Sequence, residues 1–157
     1  MVIGLVCNID EEPVVVGIEI IEGDDGHLSH DEVFRHRASA SDDWAQQLHL
    51  LAQHLDTTLK AAGAETIVIR SVEAWRGGAQ AREGPKRKRL QVEGVLLEVS
   101  RRHASRVEAQ TGREIGATCG LDKRAVEEQA RTLRGGRRDQ IEAGTAALAA
   151  LAIERRG

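Results

Sequence analysis

The densest group of chemistry-bearing side chains in this 157-residue chain is basic: Arg82, Lys86, Arg87, Lys88 and Arg89. It follows a loop holding Arg76, Gly77 and Gly78 and enters a stretch that Pro85 can open as a helix. Cations beside a helix N-terminus, where backbone N–H groups lack partners, suit phosphate. Arg137 and Arg138 stand before the last helical stretch, and Arg101, Arg102, Arg106 and Arg134 add to the same middle region. Such side chains position a phosphate backbone and carry little base information; they serve equally well to solubilise a surface. Trp75 in the glycine-rich loop has two uses, stacking on an exposed base or packing inward.

A second group is acidic. Asp139 and Glu142 are three residues apart at the start of the last helical stretch. At that spacing two side chains lie about 60° apart around a helix, so both carboxylates can project together. Acids in a first turn are also favoured by the helix dipole alone. The histidines give little: His27, His30 and His36 cluster loosely around Asp31, while His49 and His54 do not share a helix face. Cys7 and Cys119 have no charged context and read as small apolar residues, too few for a disulfide framework or a thiolate zinc site. The phosphate-loop and dinucleotide glycine patterns are both absent.

The formal net charge of −3 hides a segregation. Residues 1–69 carry 3 basic and 13 acidic side chains, residues 70–138 carry 17 basic and 9 acidic, and residues 139–157 carry 2 basic and 3 acidic. A basic middle in a mildly acidic chain points to an anionic partner for one face, with nucleic acid first. The length suits one domain over 1–157, and an apolar fraction of 41% with 2% aromatic means a core of Val, Ile, Leu and Ala. No stretch approaches a membrane span, and the N-terminus lacks a basic n-region before Asn8, Asp10, Glu11 and Glu12, so a soluble cytoplasmic protein is expected.

These groups need a scaffold. Val2 to Val6, Val14 to Ile21 and Leu28 to Phe34 read as three strands of an antiparallel meander, with Gly17 marking a bulge or a close packing point. Ser41 can cap a helix from Asp42 to Ala62, with Trp44, Leu48, Leu51, Leu55 and Leu59 facing inward and Gly63 ending it. Thr66 to Val72 is a buried, parallel strand. A helix opened by Pro85 runs to about His103, and Arg106 to Gln110 is a short fifth strand. Asp122 can cap a helix to Leu133, and a final helix spans Asp139 to Arg155. The order β-β-β-α-β-α-β-α-α makes a mixed sheet flanked by helices.

That order, the stretch RVEAQTGREIGATCGLDKRAVEEQARTL and the terminal RRDQIEAGTAALAALAI resemble the RuvC-type Holliday junction resolvases of the ribonuclease H-like superfamily. The resemblance covers nearly the whole chain. It implies an α/β fold: a mixed five-stranded sheet, three antiparallel N-terminal strands and then parallel ones, flanked by helices. It also implies Mg2+ or Mn2+ held by four carboxylates for phosphodiester cleavage, a DNA partner and a homodimer. Hard cations take oxygen ligands, and two metals activate water and stabilise the leaving oxygen.

The carry-over of those carboxylates is uneven. Asp139 and Glu142 match the family's pair on the final helix. The acid that should follow the fourth strand's apolar run is replaced by Arg70, which cannot ligate a cation; Glu73 is the nearest substitute. On the first strand, Gly4 and Leu5 match the family pattern with Val6 at the acid position, whereas matching Asn8-Ile9-Asp10 instead puts Asp10 there, seven residues before Gly17. The catalytic candidates are therefore Asp10, Glu73, Asp139 and Glu142, with Asp139 and Glu142 as metal ligands. The nucleic-acid candidates are Arg76, Arg82, Lys86, Arg87, Lys88, Arg89, Arg137 and Arg138. The expectation is a RuvC-like DNA-binding protein with an eroded nuclease site; an active endonuclease and a dimeric assembly protein are the alternatives.

Overall fold

In the computed structural model the described residues are 1–9, 13–38, 43–73 and 83–157. They form β1 (Val2–Ile9), β2 (Pro13–Glu22), β3 (Leu28–Arg37), α1 (Trp44–Ala62), β4 (Thr66–Arg70), α2 (Glu83–His103), β5 (Arg106–Gln110), α3 (Gly112–Cys119), α4 (Lys123–Arg134) and α5 (Arg138–Glu154). The sheet order is β3-β2-β1-β4-β5. β1 pairs antiparallel with β2 and parallel with β4, and β4 pairs parallel with β5. This is the mixed five-stranded sheet expected from the sequence.

Alternation along the strands feeds two apolar layers. Val2, Val6, Val16, Ile18, Ile20 and Val68 face α3, α4 and α5. Ile3, Leu5, Cys7, Val15, Ile67 and Ile69 face α1 and α2. The central strands β1 and β4 are buried on both sides, which explains their unbroken apolar runs. Gly4 brings the first layer close: a Cβ there would overlap backbone atoms of Ala143 and Ala147. The Ala-rich face of α5 is the complement of that contact. Gly17 fills both roles read from the sequence, since the β2–β3 register shifts between Gly17 and Ile18 and the Phe34 ring lies where a Cβ would be.

Several elements differ from the sequence reading: β1 runs past Val6 to Ile9, and β4 stops at Arg70, short of Val72, where its pairing with β1 and β5 ends. Asp43, not Ser41, caps α1, accepting from the backbone of Ala45 at 2.9 Å and Gln46 at 3.4 Å; Ser41 and Asp42 lie outside the described residues. α2 starts at Glu83, so Pro85 sits inside the first turn, where its missing N–H removes no helical bond. β3 continues past Phe34 to Arg37, because an edge strand tolerates polar side chains that break the apolar pattern. Helix α3 was not anticipated. Thr111 and Glu114 form its capping box, with the Thr111 N–H donating to Glu114 Oε2 at 2.7 Å.

Candidate functional site

The carboxyl ends of β1 and β4 open into a cleft of about 1230 Å³ between α2, α3, α4 and the start of α5. In a sheet of this kind the crevice beyond the strand ends is where ligands bind. Asn8 and Ile9 line it from β1, and Arg70, Ser71, Val72 and Glu73 line it from β4 and its exit. Arg113 enters from α3, Lys123, Glu127 and Arg131 from α4, and Arg138, Asp139 and Glu142 from α5. Lys86 and Arg89 complete the wall from α2.

The register places Val6 of β1 opposite Arg70 of β4. Both lie on the α5 side of the sheet, with Val68, and Val6 is fully buried. Arg70 is only 5% exposed. Its guanidinium lies against Gly112, where any Cβ would overlap it. Its hydrogen bonds are long: Nη1 donates to the Ser71 carbonyl at 3.4 Å and Nη2 to Glu73 Oε1 at 3.5 Å. Glu73 is held more closely by Lys123, whose Nζ is 2.9 Å away. Lys123 first, then Arg70, keeps the Glu73 carboxyl below its ordinary range against the opposing effect of burial.

The two cleft-lining acids of α5 are also taken up by arginines. Arg35 on β3 donates to Asp139 Oδ2 from Nη1 at 2.6 Å and to Oδ1 from Nη2 at 3.4 Å. The same guanidinium holds Glu32 through Nε at 3.1 Å and Nη2 at 2.9 Å, and Gln140 Nε2 donates to Glu32 at 2.7 Å. Partial burial pushes the Asp139 carboxyl up, but the Arg35 hydrogen bonds and charge, the Gln140 N–H and Arg137 outweigh it, leaving the group below its ordinary value. Glu142 accepts from Arg138 Nε at 3.1 Å. The sequence hides Arg35, because the apolar pattern of β3 stops at Phe34 while the strand runs on to Arg37.

Of the candidate residues, Glu73, Asp139 and Glu142 do line one cleft, while Asp10 lies outside the described residues. The described residues do not fit the Mg2+ or Mn2+ pair that the resemblance implies. Each cleft acid has a cationic partner, Glu127 sharing Lys123 at 3.9 Å with Glu73. Among the described residues no group of three or more His, Cys, Asp or Glu side chains could hold a metal ion.

The basic cluster of α2 divides around the helix. Lys86 and Arg89, three apart, face the cleft. Arg87 is exposed outside it, and Lys88 turns to the other side, where Nζ lies 4.9 Å from the Trp44 ring. Buried Glu93 fixes Arg89 at 3.1 Å and the exit of β4 through Ser71 Oγ at 2.6 Å and the Val72 N–H at 3.0 Å. Arg137 is exposed at the N-cap of α5, beside Arg138. Arg76, Arg82 and Trp75 lie outside the described residues.

The histidines do not converge on Asp31. His30 Nε2 meets the Ala130 carbonyl at 3.1 Å on the α4–α5 side. His36 stacks on Phe34 and approaches His54 with ring centroids 5.7 Å apart on the α1 side. Among the described residues no helix is long and apolar enough to cross a membrane.

No family model and no curated protein matches the chain. Solved structures do. RuvC of Thermus thermophilus aligns with a TM-score of 0.71 at 14% identity, covering 99% of this chain and 96% of that one. T. thermophilus RuvC in complex with Holliday junction substrate aligns at 0.66 and 14% over the same shares. The yeast mitochondrial Holliday junction resolvase Ydc2 aligns at 0.53 and 12%, covering 98% and 77%. At such identities the likeness is one of fold. Strand order, helix placement and end-to-end coverage together give this chain the RuvC-like form of the ribonuclease H fold.

Proposed function

We propose that the protein binds branched or double-stranded DNA along the basic cleft and does not cleave it efficiently. Arg70 carries this reading. It occupies the end of β4, where the resemblance calls for a metal-binding carboxylate, and it is buried there, not turned to solvent. Among the described residues, seven basic side chains against four acidic ones line the cleft, which favours a polyanion. A neighbour of the same fold has been solved with a Holliday junction bound. Among the described residues each cleft acid is taken up by a cationic side chain, which leaves a two-metal clamp on the attacking and leaving oxygens without free ligands there. The test is a gel-shift series with a four-way junction and a linear duplex at two salt concentrations in EDTA. Binding that weakens as salt rises is expected; absence of binding at low salt overturns the reading.

The meeting of Glu73, Asp139 and Glu142 in one cleft favours a second reading, a Mg2+- or Mn2+-dependent endonuclease that also uses Asp10. It predicts junction cleavage that disappears in Asp139→Asn. Intact junction after incubation with either metal counts against it.

A further inference from the structure

We propose that Arg70 is the centre of a phosphate site that works without a divalent cation. The inference rests on the DNA-binding reading and names what holds the phosphate. A guanidinium carries five N–H donors in a rigid fork that matches phosphate oxygens. Arg70 is 5% exposed, yet its described acceptors are a carbonyl at 3.4 Å and a carboxylate oxygen at 3.5 Å. Both are beyond the usual length of a strong charge-assisted bond. A buried charge with such weak partners is costly and is stabilised by an incoming anion.

Glu73 is not that anion, because Lys123 holds it 0.6 Å closer than Arg70 does, at 2.9 Å against 3.5 Å. The position is built, not accidental: Gly112 leaves room for the fork, and the pairing of β4 with β1 and β5 fixes its base. Above this floor, Lys86 and Arg113 line the cleft and form no ion pair with any described residue. They are placed to take the phosphates on either side. Arginine thus does directly what a bound metal would do in a carboxylate site, which is to neutralise a phosphodiester in the crevice. It follows that Mg2+ competes for the DNA backbone instead of assisting binding.

Inorganic phosphate in EDTA is the probe, followed through the side-chain Nε–H resonance of Arg70, with a four-way junction as the second ligand. Phosphate is expected to shift that resonance and to displace the junction. Arg70→Gln is expected to weaken junction binding roughly tenfold to a hundredfold, the range for charge-assisted hydrogen bonds. Arg113→Gln, at an exposed position, supplies the second variant and is expected to lower the salt dependence at unchanged thermal stability. An Arg70 resonance unmoved by phosphate, or wild-type binding that requires Mg2+, overturns the proposal. If the junction binds but phosphate leaves Arg70 unmoved, the phosphate site fails and the DNA-binding reading stands. If phosphate shifts Arg70 but no junction binds at low salt, the site stands and the DNA-binding reading fails.

Discussion

Arg35 and Asp139 are 104 residues apart in sequence and 2.6 Å apart in space. The contact ties the edge strand β3 to the first turn of α5 and places a guanidinium on a carboxylate that the fold's nucleases are expected to commit to metal. The Asp139 side chain is 13% exposed, so the pair is shielded from full solvent screening.

Arg35→Gln removes the guanidinium that Asp139 and Glu32 share, while the Gln140 N–H and side chain still reach the two carboxylates. A loss of about 1–3 kcal/mol in unfolding free energy is expected, from hydrogen bonds to charged groups in a partly buried site. Urea denaturation at neutral pH measures it, and a change under half that range shows that the network contributes little.

The same pair makes stability depend on acid. The Asp139 carboxyl titrates below its ordinary value of 3.8 in the folded chain. Its contribution is complete above the unfolded value and is lost as pH falls through the lower folded value. Wild-type protein is therefore expected to lose stability below about pH 4, and Arg35→Gln to lose less over the same interval. Parallel slopes for the two proteins contradict the assignment.

Gly4→Ala puts a methyl group onto the backbone of α5 at Ala143 and Ala147. Backbone cannot step aside as a side chain can, so a cost of about 1–3 kcal/mol or more is expected. Thermal unfolding of the variant checks it.

Thr111→Ala removes one half of the capping box that starts α3. A loss of about 1 kcal/mol is expected, with α3 exchanging amide hydrogens faster than α5. Hydrogen exchange resolved by helix distinguishes this from a general loosening.

Burial pushes the Cys7 thiol up to about 12. At mildly alkaline pH it stays protonated and unreactive in the folded protein. Alkylation is expected at half-buried Cys119 well before Cys7, and equal rates show that the Cys7 side of the sheet opens freely.

Much of the scaffold was legible because its signals are local. Unbroken apolar runs marked β1 and β4, Asp122 was read as the cap of α4 and indeed accepts from the Ala125 N–H at 2.8 Å, and Gly17 marked the bulge. The T-x-x-E box before α3 is equally local, but eight residues show too little periodicity to announce a helix. The site was harder to read. Arg70 at the end of β4 was visible as a departure from the carboxylate pattern. Its burial against Gly112 was not, since that contact crosses from β4 to α3. Arg35 escaped because the polar tail of an edge strand looks like a loop. The basic run in α2 read as one patch, whereas helical rotation sends Lys86 and Arg89 into the cleft and Lys88 to Trp44.

The most direct measurement is junction binding and cleavage by the wild-type protein in parallel, in EDTA and in Mg2+ or Mn2+. Binding in EDTA, no stronger with either metal and with the junction recovered intact, is the expected result. Binding that appears only with a divalent cation, accompanied by nicked strands, contradicts a cleft in which arginine stands in place of the metal.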